Sequence, residues 1–266
     1  MNAAMSATAL SFSIRDWFAW KPGHETRASW FMPGAGHEWP APAGDPDWAT
    51  RPATALPMML RRRMSSFGQK IVGAALALPG AQQARYVFAS RHGEFATTLR
   101  ILEDLHNRTL PSPADFSLSV HHALAGLLSI QTGNKEGHTT ISAARDTFGY
   151  GLLEAVAFCV ERPGQSALLV AYDEPLPELY SKFQESDEAG LPLIVVLEIV
   201  ADGEADAGVV SRFSLEMRPP EVSATSRDDA AIPLGQSFLD FFLSGSAETS
   251  LTGDTLTWVL RRVARH

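Results

Sequence analysis

Ser112-Pro-Ala-Asp-Phe-Ser-Leu-Ser-Val-His-His-Ala-Leu-Ala-Gly-Leu-Leu-Ser-Ile-Gln-Thr-Gly133, followed five residues later by Thr139-Thr-Ile-Ser-Ala-Ala-Arg-Asp-Thr-Phe-Gly-Tyr-Gly-Leu-Leu-Glu-Ala155, is the stretch on which the fold turns. Its first part predicts a largely apolar helix over Phe116 to Ile130 that stops near Gly133. Thr139 to Ala143 predicts a strand. Phe148 to Val160 then predicts a helix with small and apolar residues nearly all round, which should be buried. Helix, strand and enclosed helix in succession are what an α/β layered domain is built from.

The same alternation extends in both directions. Upstream, Tyr86 to Ala89 predicts a strand and Glu94 to His106 an amphipathic helix. Leu56, Leu60, Met64, Phe67 and Ile71 recur at three- and four-residue intervals, so a helix is expected from Leu56 to about Leu78, where Pro79-Gly80 stops it. Downstream, Ser166 to Ala171 is a continuous apolar run of the kind found inside sheets. Leu193 to Val200 and Val209 to Met217 predict an antiparallel hairpin about the acidic, Gly-containing turn Ala201 to Gly208. Pro219 to Pro233 reads as a surface loop, and Phe238 to Leu243 and Leu256 to Val263 as closing elements of undecided type. At the N-terminus, Ala9 to Trp20 can pair as a strand. From Pro22 to Pro57 the chain carries seven of its seventeen prolines, so a Pro/Trp-rich loop is expected over 22–55. Its Trp30, Trp39 and Trp48 are too apolar to stay in water and should lie on the body of the molecule or on another chain. One domain over residues 1–266 is expected.

Lys and Arg number 22 against 30 Asp and Glu, a formal charge of -8. That balance argues against a dedicated nucleic-acid binder, which would carry a basic face. No apolar run approaches the roughly 18 residues needed to cross a bilayer, and Met1 to Phe12 lacks the basic and apolar regions of a secretory signal. The single Cys159 removes a disulfide framework or cysteine-rich zinc site. A cytoplasmic location is the expectation.

Few residues advertise chemistry. None of the eight histidines forms a metal-binding spacing, and the adjacent His121 and His122 point about 100° apart on a helix. No metal or cofactor is therefore expected. Cys159 falls late in its helix, where no helix-dipole effect favours a thiolate. Gly34-Ala35-Gly36 lacks the context of a dinucleotide fingerprint, and no Gly-x-Ser-x-Gly elbow is present. Arg61, Arg62 and Arg63 form either a solvated face or a docking surface for an acidic partner.

The two quoted segments resemble the N-terminal half of β-ketoacyl synthases, the thiolase-fold condensing enzymes. Proline and small residues, an Ala-Gly pair, a glycine turn, a strand and a buried helix follow in that family's order. Trp17-Phe-Ala-Trp-Lys-Pro-Gly23, Leu56-Pro-Met-Met-Leu-Arg-Arg-Arg-Met64, Ser90-Arg-His-Gly-Glu94 and Leu168-Leu-Val-Ala-Tyr-Asp-Glu-Pro175 look like the short, chain-length-factor type found beside aryl polyene and related type II systems. The resemblance covers roughly residues 12 to 245 and rests on the ordered set, each motif alone being weak. It implies a thiolase-like half: a layered mixed sheet with helices on its faces.

The departures matter as much. Ala125-Gly126 keeps the family pair, but His122 stands where the enzymes have asparagine. The position of the nucleophilic cysteine falls on Arg145, or within one residue on Ala144 or Asp146, none of which can form an acyl thioester. Nothing downstream of Pro175 resembles the family's histidine-bearing motifs. The resemblance thus implies a subunit without catalytic residues. Such a subunit would pair as a heterodimer with a full-length β-ketoacyl-acyl-carrier-protein synthase, meet the carrier protein through that complex, and shape the acyl tunnel. Phe116, Leu118, His121, His122 and Phe148 are candidates for the tunnel or interface, and Arg61, Arg62 and Arg63 for docking. Arg145 is expected to pair with Asp146 or with the partner. The alternative is an independent acyl-thioester hydrolase or transferase using His92, His121, His122 or His138 as base.

Overall fold

Strand β1 (Leu10–Trp20) is buried along nearly its whole length, because Phe12, Ile14, Trp17, Phe18 and Trp20 supply large apolar side chains to both faces of a sheet. The computed structural model describes residues 9–31, 45–203, 208–220 and 232–263. After β1 follow helices α1 (Met58–Arg61) and α2 (Ser66–Leu76), strand β2 (Arg85–Ala89), and helices α3 (Phe95–His106), α4 (Pro113–Leu118) and α5 (Ala123–Thr132). Then come β3 (His138–Ile141), α6 (Thr147–Glu161), β4 (Ala167–Asp173), β5 (Leu193–Ala201), β6 (Ser211–Arg218), α7 (Leu234–Ser244), β7 (Glu248–Thr252) and β8 (Thr257–Arg262).

The strands form one eight-stranded mixed sheet in the order β3-β2-β4-β5-β1-β6-β8-β7. β2 runs parallel to β3 and β4, and the remaining pairings are antiparallel. Alternation divides the side chains between two cores. Val87, Leu169, Val195 and Leu197 face α6 and α7, whereas Tyr86, Phe88, Val170 and Val196 face α2 and α5. In β1 the register shifts between Ile14 and Asp16, so Arg15 is an extra residue. That bulge resets the alternation and leaves Trp17 and Ala19 on the same face as Phe12 and Ile14.

Three expectations need correction. The two runs Leu193–Val200 and Val209–Met217 are strands but not a hairpin: β1 lies between β5 and β6 and pairs with both. β5, apolar on both faces, lies inside the sheet between β4 and β1, with helices over each face. The helix expected from Leu56 to Leu78 is two helices, broken at Arg62–Ser65, where the Ser65 hydroxyl accepts the Gly68 N–H at 2.8 Å and starts α2. The helix expected over Phe116–Ile130 is also two, α4 and α5, separated at Ser119–His122; Gly133 (φ 70°) caps the second.

The Trp-rich loop packs on its own sheet wherever it is described. Trp30 and Trp48 are buried in the α6/α7 core; Trp39 lies outside the described residues. Arg27, with 0% exposure, fastens the loop to β1. Its guanidinium donates to Asp16 and to the carbonyls of Trp17 and Trp48, while Trp48 Nε1 also donates to Asp16 at 2.8 Å. The Pro219–Pro233 loop falls mostly outside the described residues.

Candidate functional site at the strand-to-helix elbow

From β3 the chain passes Ser142 and Ala143 and turns through Ala144 into α6. Ala144 has φ 47°, a left-handed conformation that costs a residue with a Cβ about 1 kcal/mol. Such turns present one side chain at the end of a strand and the start of a helix, where backbone N–H groups and the helix dipole favour negative charge. The turn is pinned on every side. Thr147 Oγ1 donates to the Ala144 carbonyl at 2.6 Å and accepts the Ala143 N–H at 3.0 Å. Ser142 Oγ donates to the Arg91 carbonyl at 3.0 Å.

The three candidate positions at this elbow have different surroundings. Ala144 presents only an exposed methyl group. Asp146 is buried and accepts hydrogen bonds from Trp258 Nε1 at 3.0 Å and from the Thr255 N–H and hydroxyl at 2.8 and 2.9 Å. Of the two pairings expected for Arg145, the one with Asp146 is not formed, because donors from Thr255 and Trp258 already occupy that carboxylate. The Arg145 Nε instead faces Asp187 Oδ2 at 3.5 Å.

Beneath the elbow is a cavity of about 60 Å³, walled by Ala89, Phe148, Ala171, Leu193, Val195 and Leu234 and bounded by Arg91, Arg145, Asp187 and Glu188. One water takes roughly 30 Å³, and drug-sized ligands need roughly 300 Å³ or more. The elbow therefore opens onto room for water rather than for an acyl chain.

An ionic network surrounds this cavity. Arg91 donates to Asp187 at 2.9 Å and Glu188 at 3.0 Å, and His92 Nε2 bonds Glu188 Oε1 at 2.7 Å. Asp173 accepts from Ser90 Oγ and from the N–H groups of Arg91 and His92, at 2.8, 2.9 and 3.1 Å. Burial nevertheless pushes the Asp173 carboxyl up. Burial alone would lower the Arg91 guanidinium, but hydrogen bonds and charges from Asp187, Glu185 and Glu188 hold it above its usual value. Glu174, half-buried and close to Glu94 and Asp173, is pushed up to about 7. The segments Ser90–Glu94 and Leu168–Pro175, singled out separately in the sequence, thus meet at one site. Asp187 and Glu188 had no motif to signal them.

The remaining candidates are dispersed. Phe148 lines the elbow cavity. Phe116 is 66% exposed on α4. Leu118 lines a groove of about 720 Å³ whose rim carries Arg62, Arg63 and Arg100 and whose floor includes Leu127 and Ile130. Arg61, at the end of α1, is exposed like its two neighbours. His121 packs over Gly93 so closely that a Cβ there would come within 2.5 Å of its Nδ1. His122 stacks on His138 with ring centres 6.0 Å apart. The four histidines do not converge, and His92 is engaged by Glu188. Cys159 is buried and bonds the Ile199 carbonyl. Among the described residues no group of three or more His, Cys, Asp or Glu side chains is placed to hold a metal, and no helix is long and apolar enough to cross a membrane.

Comparison with known proteins matches residues 36–260 to the family described as "Beta-ketoacyl synthase, N-terminal domain". No curated protein matches the chain. Among solved structures, 95% of this chain aligns with 100% of a chain in the ketosynthase (ApeO) in complex with its chain length factor (ApeC) from Xenorhabdus doucetiae, at 26% identity and TM-score 0.75. The matched chain is therefore about as long as this one. The ishigamide ketosynthase/chain length factor aligns over 89% of this chain and 74% of its own, at 14% identity and TM-score 0.57. A β-ketoacyl synthase from Burkholderia phymatum STM815 aligns over 82% and 66%, at 12% identity and TM-score 0.52. These last two likenesses concern the fold alone.

Proposed function

Given that the chain belongs to the β-ketoacyl synthase N-terminal domain family, we propose that it is a noncatalytic, chain-length-factor type of subunit. In this role it pairs in the cytoplasm with an active, acyl-carrier-protein-dependent ketosynthase and shapes that enzyme's acyl tunnel, in aryl polyene or related lipid or polyketide synthesis. The observation that carries the noncatalytic part is the methyl group of Ala144 at a strained elbow over a 60 Å³ cavity. A condensing enzyme needs at this point a thiolate to hold the acyl chain and space to receive it. We assign the lost nucleophile to Ala144, one residue before Arg145, because Ala144 carries the left-handed backbone.

The whole-length likeness to a chain of a ketosynthase–chain length factor complex supports the pairing. So does the surface. Leu102, Leu105, Leu110, Phe116 and Ile130 are large apolar residues exposed on or beside α3, α4 and α5, a concentration that favours a protein partner. Phe116 and Leu118 of α4 are the side chains assigned to the contact with the tunnel. His121 and His122 follow on the same surface, and Phe148 closes the elbow from below. Arg61, Arg62 and Arg63, with the groove beside them, are assigned to docking an acidic partner such as the carrier protein.

The test is co-expression with a full-length, acyl-carrier-protein-dependent ketosynthase from the same organism, followed by size-exclusion chromatography and analysis of product length. Co-elution is expected, together with a longer or less uniform product when Phe116→Ala reduces bulk at the contact. A chain that stays monomeric beside the active synthase, and leaves its product unchanged, would refute the proposal.

A further inference from the structure

Glu185, Ser186, Asp187 and Glu188 belong to a short surface turn between β4 and β5, yet the side chains of Asp187 and Glu188 are only 6% and 4% exposed. They point inward, against the elbow cavity, while Glu185 and Ser186 stay in water. We propose that this turn is a plug that closes the elbow cavity from within, latched by Arg91 and Arg145. Arg91 comes from the β2–α3 turn and Arg145 from the elbow itself, so the latch ties the plug to the two segments that bound the cavity.

The plug is not what the neatest packing would produce. Oε2 of Glu188 is buried without a hydrogen-bond partner, a cost that an apolar side chain at this position would avoid. Three acidic groups, Glu185, Asp187 and Glu188, are gathered here against Arg91, Arg145 and His92. The wall behind the plug, in contrast, is apolar, formed by Ala89, Phe148, Ala171, Leu193, Val195 and Leu234. A charged latch over an apolar wall can be released without dismantling a core, and the space it opens would accept a small apolar group such as the end of an acyl chain. While closed, it denies that group a place in this subunit. Closure is a property of the single chain and is tested on it alone, so its failure and that of the pairing are separately visible.

The reporter is Ala171→Cys, which sets a sulfur in the cavity wall at a position 7% exposed. Native Cys159, wholly buried in the core, serves as the internal control. Alkylation by iodoacetamide is followed at both sites by peptide mass spectrometry. With the latch intact, both thiols should react slowly. Adding Glu188→Gln, or separately Arg145→Ala, should accelerate labelling at 171 by about tenfold or more while 159 stays protected, since each removes a hydrogen bond or ion pair involving a charged group. The proposal is overturned if the thiol at 171 reacts like an exposed cysteine with the latch intact. It is equally overturned if neither latch variant changes its rate, or if both sites accelerate together in both variants, which would make the turn part of the global fold.

Discussion

Arg27 is a cation with no access to water, and its environment explains how it is tolerated. Asp16 supplies the opposite charge and the Trp17 and Trp48 carbonyls take the other N–H groups. Burial pushes the Asp16 carboxyl up, and Arg27 and Trp48 pull it back. Removing one member strands the other, so Arg27→Ala should cost about 3–5 kcal/mol in chemical denaturation. Arg27→Met combined with Asp16→Asn should recover part of that loss. Glu174 gives a second test. Its folded carboxyl is raised to about 7, first by burial and then by Glu94 and Asp173. The folded state therefore binds this proton more tightly than the unfolded chain, and the resulting stability is present below about pH 4.5 and lost as pH rises through 7. The chain should be more stable at pH 5.5 than at 7.5 by about 1 kcal/mol, the carboxyl being partly screened by solvent. Glu174→Gln should flatten that slope in thermal melts. At the elbow, Ala144→Cys restores a thiol but not the space beneath it. Incubated with an acyl thioester and an extender unit, this variant should form no elongated product.

Among the elements, the start of α2 carries a clean prediction. Ser65→Ala leaves the Gly68 N–H without its acceptor and should cost about 1 kcal/mol, read from the midpoint of urea unfolding. The same place shows why periodicity misreads an interruption. Leu56, Leu60, Met64, Phe67 and Ile71 are all buried in one core, as their spacing predicts. Both sides of the break face the same core, so the apolar rhythm continues across Arg62–Ser65 although the hydrogen-bond ladder does not. α4 and α5 hide their break in a related way, but with a different result. Ala123, Leu124, Ala125, Leu127 and Leu128 of α5 are buried while Phe116 of α4 and Ile130 of α5 stay exposed, leaving an apolar strip at the surface. In β1, deleting Arg15 removes the bulge and leaves Phe12, Ile14, Trp17 and Ala19 on one face in regular alternation. Such a chain should keep its cooperative thermal transition, as should Arg15→Lys, because neither change moves an apolar side chain to the other face.

At the scale of the whole molecule, the proposed pairing predicts that the isolated chain, with its exposed apolar residues along α3 to α5, is a poorer solute than the complex. Co-expression with the proposed ketosynthase partner should raise both soluble yield and melting temperature, the latter in proportion to the logarithm of partner concentration. An unchanged melting temperature at saturating synthase would count against pairing. The family pattern, the alternation of strands and helices, the enclosed α6 and the absence of a thiol near the elbow were all legible from residue order. They depend on local spacing and side-chain type, which a sequence states outright. The interior place of β1 was not legible, because which strands share a hydrogen-bonded edge depends on where the chain folds back, which the apolar pattern of β5 does not state. Nor was the left-handed backbone of Ala144, or the meeting of Arg91 and Arg145 with Asp187 and Glu188, residues 42 to 97 positions apart. Contacts over such separations are set by where the chain folds back, and only the assembled layers decide that.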